Sequence, residues 1–230
     1  MKADAPYGPR AVNRARVRAR LLDSAESLFA DHGFDGVGVR DITDHAGTRV
    51  AAVSDHFGGK EALFRDVLLR RAVPLNNRRR ELLAALPRRG SRASRLRALI
   101  EAFTLPLLEL ADGDDGARDY LRLLAQNSSS RQPVLLLVAD EFNAIAGQFI
   151  DGLRQLFPAA PDATLYDAYT HLVAAAMHTF ADNLRLDHIT HGRLRTGDYR
   201  ERYAALIPFL EGGITALATR SAPGASGVAR

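Results

Sequence analysis

The chain has 230 residues, 47% of them hydrophobic and 25% charged, with a formal net charge of +4 and no cysteine. An ordinary apolar fraction at this length fits one large domain, or a small domain joined to a larger one, and argues against wholesale disorder. The missing cysteines exclude disulfides, thiol nucleophiles, thiolate zinc sites and iron–sulfur clusters, and fit a reducing cytoplasm.

The opening decapeptide MKADAPYGPR has no apolar core, so no secretory signal is expected. Positive charge then gathers: Arg10, Arg14, Arg16, Arg18 and Arg20 stand against a single acidic residue, Asp4, in the first twenty positions. Pro6, Gly8 and Pro9 precede any apolar periodicity, so residues 1–13 read as a flexible basic arm, either a solvated tail or a phosphate-seeking one. Val17, Leu21, Ala25, Leu28, Phe29 and His32 recur at three- and four-residue steps and Gly33 offers a C′ residue, which predicts a first helix from about Arg14 to His32. After the link Phe34-Asp35-Gly36-Val37-Gly38, the residues Val39, Ile42, Thr43 and Ala46 mark the buried side of a two-turn helix closed by Gly47. A second short helix follows from about Val50 to His56, with Val53 and Phe57 inward. Lys60-Glu61-Ala62-Leu63-Phe64 opens a long helix towards Leu86, which Pro74 should kink or interrupt.

Beyond Arg88-Arg89-Gly90 longer helices are predicted at about 92–110, 117–127, 133–157, 163–186 and 199–218. Asp112–Gly116, Pro158–Pro161 and Thr190–Gly197 separate several of them, and Ser128–Ser130 reads as a cap for the helix opened by Pro133. There is no sustained strand pattern or internal repeat, and Ser221–Arg230 reads as disordered. The longest apolar runs, near Val134–Ala139 and Leu172–Met177, fall far short of the roughly 18 residues of a membrane span, so a cytoplasmic chain without a membrane partner is expected. The fold class is all-α: an N-terminal three-helix helix-turn-helix domain at 14–59, a connecting helix at 60–86, a larger C-terminal helical domain at 91–219 and a tail at 220–230.

Two short helices joined at Gly47 form a helix-turn-helix candidate, because the turn needs a residue that accepts positive φ. Val39, Ile42, Ala46, Val53 and Phe57 would hold both to the first helix. The other face of the second short helix would then fit a major groove while flanking basic groups bond phosphates. The run GFDGVGVRDITDHAGTRVAAVSDHFGGKEALF resembles the N-terminal signature of TetR-type transcriptional regulators. Gly33-Phe34, Ile42, Ala46-Gly47, His56-Phe57 and Lys60-Glu61-Ala62-Leu63 stand in the family's order and spacing, within a resemblance covering roughly Arg14–Leu69.

That resemblance implies a homodimer that binds a palindromic double-stranded operator through its N-terminal domain. A C-terminal ligand-binding and dimerisation domain would release repression when a small effector binds. It further implies that Arg40 approaches DNA from the start of the second helix, that Arg49, Val50, Ala51, Ala52 and Ser54 form the recognition surface, and that His56 and Lys60 bond phosphates. A helix N-terminus favours anions, which independently suits Lys60 to a phosphate. Three positions depart from the family pattern. Gly38 stands where Ser or Thr usually caps, Thr48 replaces the apolar residue after the turn glycine, and Asp55 stands where an aromatic commonly precedes the histidine. Asp55 brings negative charge towards the DNA backbone unless it pairs with Arg49 or Arg65.

In the C-terminal half, LYDAYTHLVAAAMHTFADNL (165–184) and YAALIPFLEGGITAL (203–217) have almost no continuous polar face. Helices apolar around most of their circumference are covered on both sides, and Gly212 and Gly213 permit close approach of another helix. A four-helix dimer interface is the expectation, with a monomeric core as the alternative. This half also looks loosely similar to the fatty-acid-responsive TetR regulators of pseudomonads, which implies an apolar or amphipathic, acyl-like effector. Phe103, Leu107, Phe142, Phe149, Met177 and Phe180 are candidates for its cavity, with His171, His178 and Asn183 as polar anchors; ordinary core packing is the competing reading for each.

A ligand can act only by preferring the dimer that does not fit DNA. Recognition helices must lie about 34–36 Å apart to enter successive major grooves, so a shift of the 60–86 helix, with Pro74 as its weak point, would disturb binding. Enzymatic chemistry is not expected. Asp112, Asp114 and Asp115 lack a Glu at EF-hand spacing, His188 and His191 lack a third ligand, and Gly58-Gly59-Lys60 lacks the remaining residues of a P-loop. No cofactor, metal or catalytic residue is therefore assigned. The remaining alternatives are a helical interaction protein without DNA binding, with Asp55 as its best support, and, ranked below it, a hydrolase-type enzyme.

Overall fold

The computed structural model describes residues 9–130 and 133–220. Among them the regular structure is entirely helical: α1 (Pro9–His32), α2 (Val39–His45), α3 (Ala51–Phe57), α4 (Lys60–Ala84), α5 (Arg92–Ala111) and α6 (Asp115–Ser128) are followed by a 3-10 segment (Pro133–Val138), α7 (Ala139–Leu156), α8 (Asp162–Phe180), α9 (Arg185–Ile189) and α10 (Tyr199–Arg220). Among the described residues no helix is long and apolar enough to cross a membrane.

Four expectations need correction. The first helix begins at Pro9, so residues 9–13 extend α1 instead of forming an arm. Proline fits the first helical turn, where its missing N–H has no intrahelical partner to lose. Residues 1–8 and the predicted tail Ser221–Arg230 lie outside the described residues. Second, α4 runs unbroken through Pro74, which is exposed. On that side water can reach the Arg70 carbonyl that the proline leaves without a donor. Third, the segment expected as one helix at 133–157 opens as a 3-10 segment and becomes α-helical only from Ala139. Fourth, the helix expected to reach 186 stops at Phe180, because Asp182 (φ 45°) and Leu184 (φ 56°) adopt left-handed backbone conformations that an α-helix cannot contain.

The N-terminal helices pack around Leu21, Ala25 and Phe29 of α1, Ile42 of α2, Val53 of α3 and Leu63 and Phe64 of α4, all buried. Phe64 meets Phe29 edge-on at 5.0 Å and Phe34 at 4.9 Å, so the loop after α1 is tied to α4 by aromatic contact. In the C-terminal part α5 is central, burying Leu96, Leu99, Ile100, Phe103 and Leu107. Gly152 of α7 lets the two helices approach: a Cβ there would come within 2.8 Å of a Leu99 methyl.

Polar groups join the two halves. Glu26 of α1, 1% exposed, is held by Arg70 and Arg71 of α4. Arg71 makes a two-pronged contact at 3.0 and 3.1 Å, Arg70 reaches on to Asp23 at 2.6 Å, and Arg71 to Asp114 at 3.4 Å. At the end of α1, Gln126 of α6 donates to the Ala30 carbonyl at 2.6 Å and Arg122 pairs with Asp31 at 3.0 Å. Helix α6 is thereby fastened to the helix that supports the helix-turn-helix.

Candidate nucleic-acid interface and effector region

The turn between α2 and α3 is fixed from both ends. Gly38 caps α2 without a side chain, and Asp41 supplies the missing reciprocity by accepting from the Gly38 N–H at 2.7 Å. Gly47 takes φ +59°, the left-handed conformation expected of a turn glycine. Arg20 of α1 lies over this turn, donating to the Gly47 carbonyl at 3.0 Å and to the Ala46 carbonyl. Cations suit the carbonyl-rich end of a helix. Arg18 is also engaged within the fold, pairing with Asp66 at 2.6 Å and lying 5.0 Å above the Phe57 ring. Both arginines therefore brace the fold and are not free basic charge.

The outward surface of α3 and its approach carries Arg49, Val50, Ala51 and Ser54, all exposed, and Arg40 is exposed on α2. Ala52 is 4% exposed and packs inward beside Val53, so its expected place on the recognition surface is corrected. With α3 starting at Ala51, adjacent positions differ by about 100° around the axis, and 52 and 53 share the core-facing side. Asp55 pairs with Arg49, Oδ2 to Nη2 at 2.7 Å, while Arg65 approaches Asp66 instead. The Asp55 carbonyl also accepts from Arg14 at 3.5 Å. The negative charge at this position is thus matched within the surface that carries it.

His56 is half-buried at the end of α3. Burial, then the positive charge of Arg14, lowers its pKa below the ordinary 6.5; Arg18 and Arg49 act in the same direction and Asp55 opposes them. Lys60 opens α4 after Gly58 (φ +86°) and Gly59 (φ +156°), with its Nζ 4.2 Å above the Phe34 ring. Phe34 therefore orients the lysine, a role the sequence signalled only through the Gly33-Phe34 pair. Arg40 and Arg49 are exposed cations on α2 and on the approach to α3, and Lys60 is a half-buried cation at the start of α4.

The nine residues proposed from sequence for an effector cavity are not brought together. Phe103, Leu107, Phe149 and Phe180 are buried in packed core, with Phe103 and Phe149 edge-to-face at 5.1 Å, and Phe142 is half-buried against the same core. Met177, His178 and Asn183 line a groove of about 690 Å³ between α6 and α8, which Ala30 and Asp31 of α1 also line. His171 lines a separate groove of about 610 Å³ with Phe209 and Gly213, between α8 and α10.

Sequence reasoning missed a buried polar cluster beside the first groove. In the run Arg78-Arg79-Arg80, Arg78 turns to Glu109 and Arg80 to Glu141, while Arg79 points inward and is 2% exposed. Its Nε donates to the Phe103 carbonyl at 3.1 Å, its Nη1 to Asn76 at 3.0 Å, and its guanidinium lies 3.9 Å above the Phe103 ring. Nη2 has no hydrogen-bond partner among the described residues, and neither has the fully buried Tyr120 hydroxyl. Burial lowers the Arg79 pKa to about 10, which still leaves it charged at neutral pH, and pushes the Tyr120 hydroxyl up.

Comparison with known proteins places this arrangement. The model for bacterial regulatory proteins of the tetR family matches residues 21–67, and that for the tetracyclin repressor-like C-terminal domain matches residues 101–213; together they span more than half of the chain. The chain is 40% identical over 47 residues to the HTH-type transcriptional repressor AcnR of Corynebacterium efficiens, covering 20% of this chain and 25% of that protein. It is 35% identical over 86 residues to the HTH-type transcriptional activator FasR of Mycolicibacterium smegmatis, covering 37% and 38%. These alignments span well under half the length of either relative. The solved structure of GusR from Salmonella enterica shares the fold at a TM-score of 0.57 and 17% identity, over 88% of this chain and 95% of that one. Helix order, turn geometry and both matched halves agree: the chain belongs to the TetR family of bacterial transcriptional regulators.

Proposed function

We propose that the protein is a cytoplasmic homodimeric repressor that binds a palindromic operator and releases it when a small apolar or amphipathic molecule binds the C-terminal helices. The observation that carries this reading is the exposed strip on α3 and its approach, anchored from behind by Ala52 and Val53 and flanked by Arg40 and Lys60. In it Arg49 and Ser54 supply polar groups to base edges, and the Val50 and Ala51 methyls meet thymine methyls. His56 and Lys60 hold phosphates and fix the register. Pairing of Asp55 with Arg49 supports DNA binding, since the carboxylate does not face the phosphates uncompensated. AcnR is named a repressor and FasR an activator; repression is the reading adopted for this chain.

A second copy is placed against the outer faces of α8 and α10. Phe209 and Tyr166 are 69% and 54% exposed there, and nothing lies within 4 Å of a Cβ built at Gly212 or Gly213. Large apolar side chains beside bare glycines suit close helix packing between subunits. The groove between α6 and α8 supports the sensing role, because its wall continues into α1 through the Gln126–Ala30 and Arg122–Asp31 contacts. A ligand that moves α6 would carry α1 with it and change the separation of the two recognition helices.

The test is selection of a binding site from random double-stranded DNA, followed by affinity measured against salt. A palindromic site whose affinity falls steeply with salt is expected. Lys60→Ala should weaken all sequences alike and Arg49→Ala should change the preferred sequence. Binding that ignores salt, or is unchanged in the Lys60 variant, would refute the docking.

A further inference from the structure

The buried cluster around Arg79 belongs neither to the DNA-binding surface nor to the effector residues first read from the sequence. Arg79 carries a full positive charge inside the helical half, and its side-chain hydrogen bonds go to neutral oxygens, the Phe103 carbonyl and the Asn76 amide. Nearby carboxylates are occupied: Glu141 accepts from Asn76 and Arg80, both at 3.0 Å, and Glu26 from Arg70 and Arg71. Two buried donors are thus left over, Nη2 of Arg79 and the hydroxyl of Tyr120. Arg79 on α4 and Tyr120 on α6 stand on helices that pack against each other, and α8, which carries Tyr169, packs on α6 in turn; each of the two groups also feels the other's charge. A carboxylate satisfies such a pair, since its two oxygens accept from a guanidinium and from a hydroxyl at once.

Access comes through Tyr169. Its ring meets Phe103 edge-on at 6.0 Å, Arg79 lies 3.9 Å above that same Phe103 ring, and Tyr169 lines the groove between α6 and α8. Val173, Ala174, Met177 and Ala125 give that groove an apolar side, while Asp31, Arg122 and Asp182 are among its polar lining. A turn of the Tyr169 ring would therefore join the apolar side of this groove to a buried cation.

We propose that Arg79 Nη2 and the Tyr120 hydroxyl form the head-group site for a carboxylate-bearing effector whose apolar body lies in the groove between α6 and α8, reached past Tyr169. This deepens the regulator reading and rests on it for the word effector; the binding site itself does not depend on DNA. It also replaces the earlier polar anchors His171, His178 and Asn183 by a cation that neutral ligands cannot match.

The test uses the full-length dimer and a panel of hexanoate, decanoate and benzoate with the matching alcohols, read by calorimetry and by the shift in melting temperature. At least one carboxylate should bind about tenfold or more tightly than its alcohol, and Arg79→Met should abolish that preference. Tyr120→Phe keeps the ring and removes the hydroxyl, and should lower carboxylate affinity severalfold; it serves as the readout if the Arg79 variant does not fold. No binding by any carboxylate, equal binding of acid and alcohol, or an unchanged preference in the variants overturns the proposal. Affinity of each variant for the selected DNA without ligand is measured separately. Loss of DNA binding in the unsubstituted protein alongside Arg79-dependent carboxylate binding would sink the regulator reading and leave this site standing; the reverse pattern would sink this site alone.

Discussion

Replacing Gly47 by alanine tests the proposition that α1 holds the recognition turn through Arg20. Two costs are separable. An alanine at φ +59° carries the left-handed penalty of about 1–2 kcal/mol. Its Cβ would also come within 2.6 Å of Arg20 Nη2, so the guanidinium must leave the Ala46 and Gly47 carbonyls it bridges. Arg20 is exposed, so losing these contacts is worth about 1 kcal/mol at most. Gly47→Ala should therefore destabilise by about 1–3 kcal/mol in urea unfolding followed by circular dichroism. In an Arg20→Ala background, where the clash and the contacts are both absent, the same substitution should cost only the backbone part, about 1–2 kcal/mol. The difference is the coupling between α1 and the turn. If Gly47→Ala costs the same in both backgrounds, Arg20 does not clamp the turn and the argument fails.

Other outcomes follow from the same geometry. Asp55→Asn removes a carboxylate from the proposed DNA-facing surface and frees Arg49 from its 2.7 Å ion pair for the base edges, so affinity for DNA should rise; unchanged affinity would mean that Asp55 does not face the DNA. Because the folded protein lowers the His56 pKa below 6.5, the unfolded chain binds more protons just below that pH. Stability should then fall as pH drops through 6.5, and His56→Gln should flatten this fall in pH-dependent urea titrations. A phosphate beside His56 would raise its pKa again, so DNA binding should take up protons, which calorimetry in buffers of differing ionisation enthalpy reads directly. Phe64→Ala removes a fully buried ring that meets both Phe29 and Phe34 and should cost about 3–5 kcal/mol, measured by thermal or urea unfolding.

The element pattern was legible wherever local chemistry decides it. Three- and four-residue apolar spacing marked α1 and α5, glycine marked the Gly33 and Gly47 turns, and the motif order from Gly33 to Leu63 pointed to the helix-turn-helix. Boundaries were misread where tertiary packing overrides a local signal. Pro74 is tolerated because it faces solvent, and α8 ends early because Asp182 and Leu184 take left-handed backbone that no apolar pattern announces.

Which residues of α3 and its approach are exposed was therefore already in the amino-acid order, apart from Ala52, whose side depends on where α3 starts. The partners of charged groups were not. Glu26 with Arg70 and Arg71, Gln126 with Ala30, and Arg79 with Phe103 join residues far apart in the chain, and nothing in the run Arg78-Arg79-Arg80 says which of the three turns inward. Helical periodicity is a property of neighbours along the chain, so sequence could specify it. Which charge is buried and which is left unpaired depends on how distant helices meet, so only the packed structure decides it.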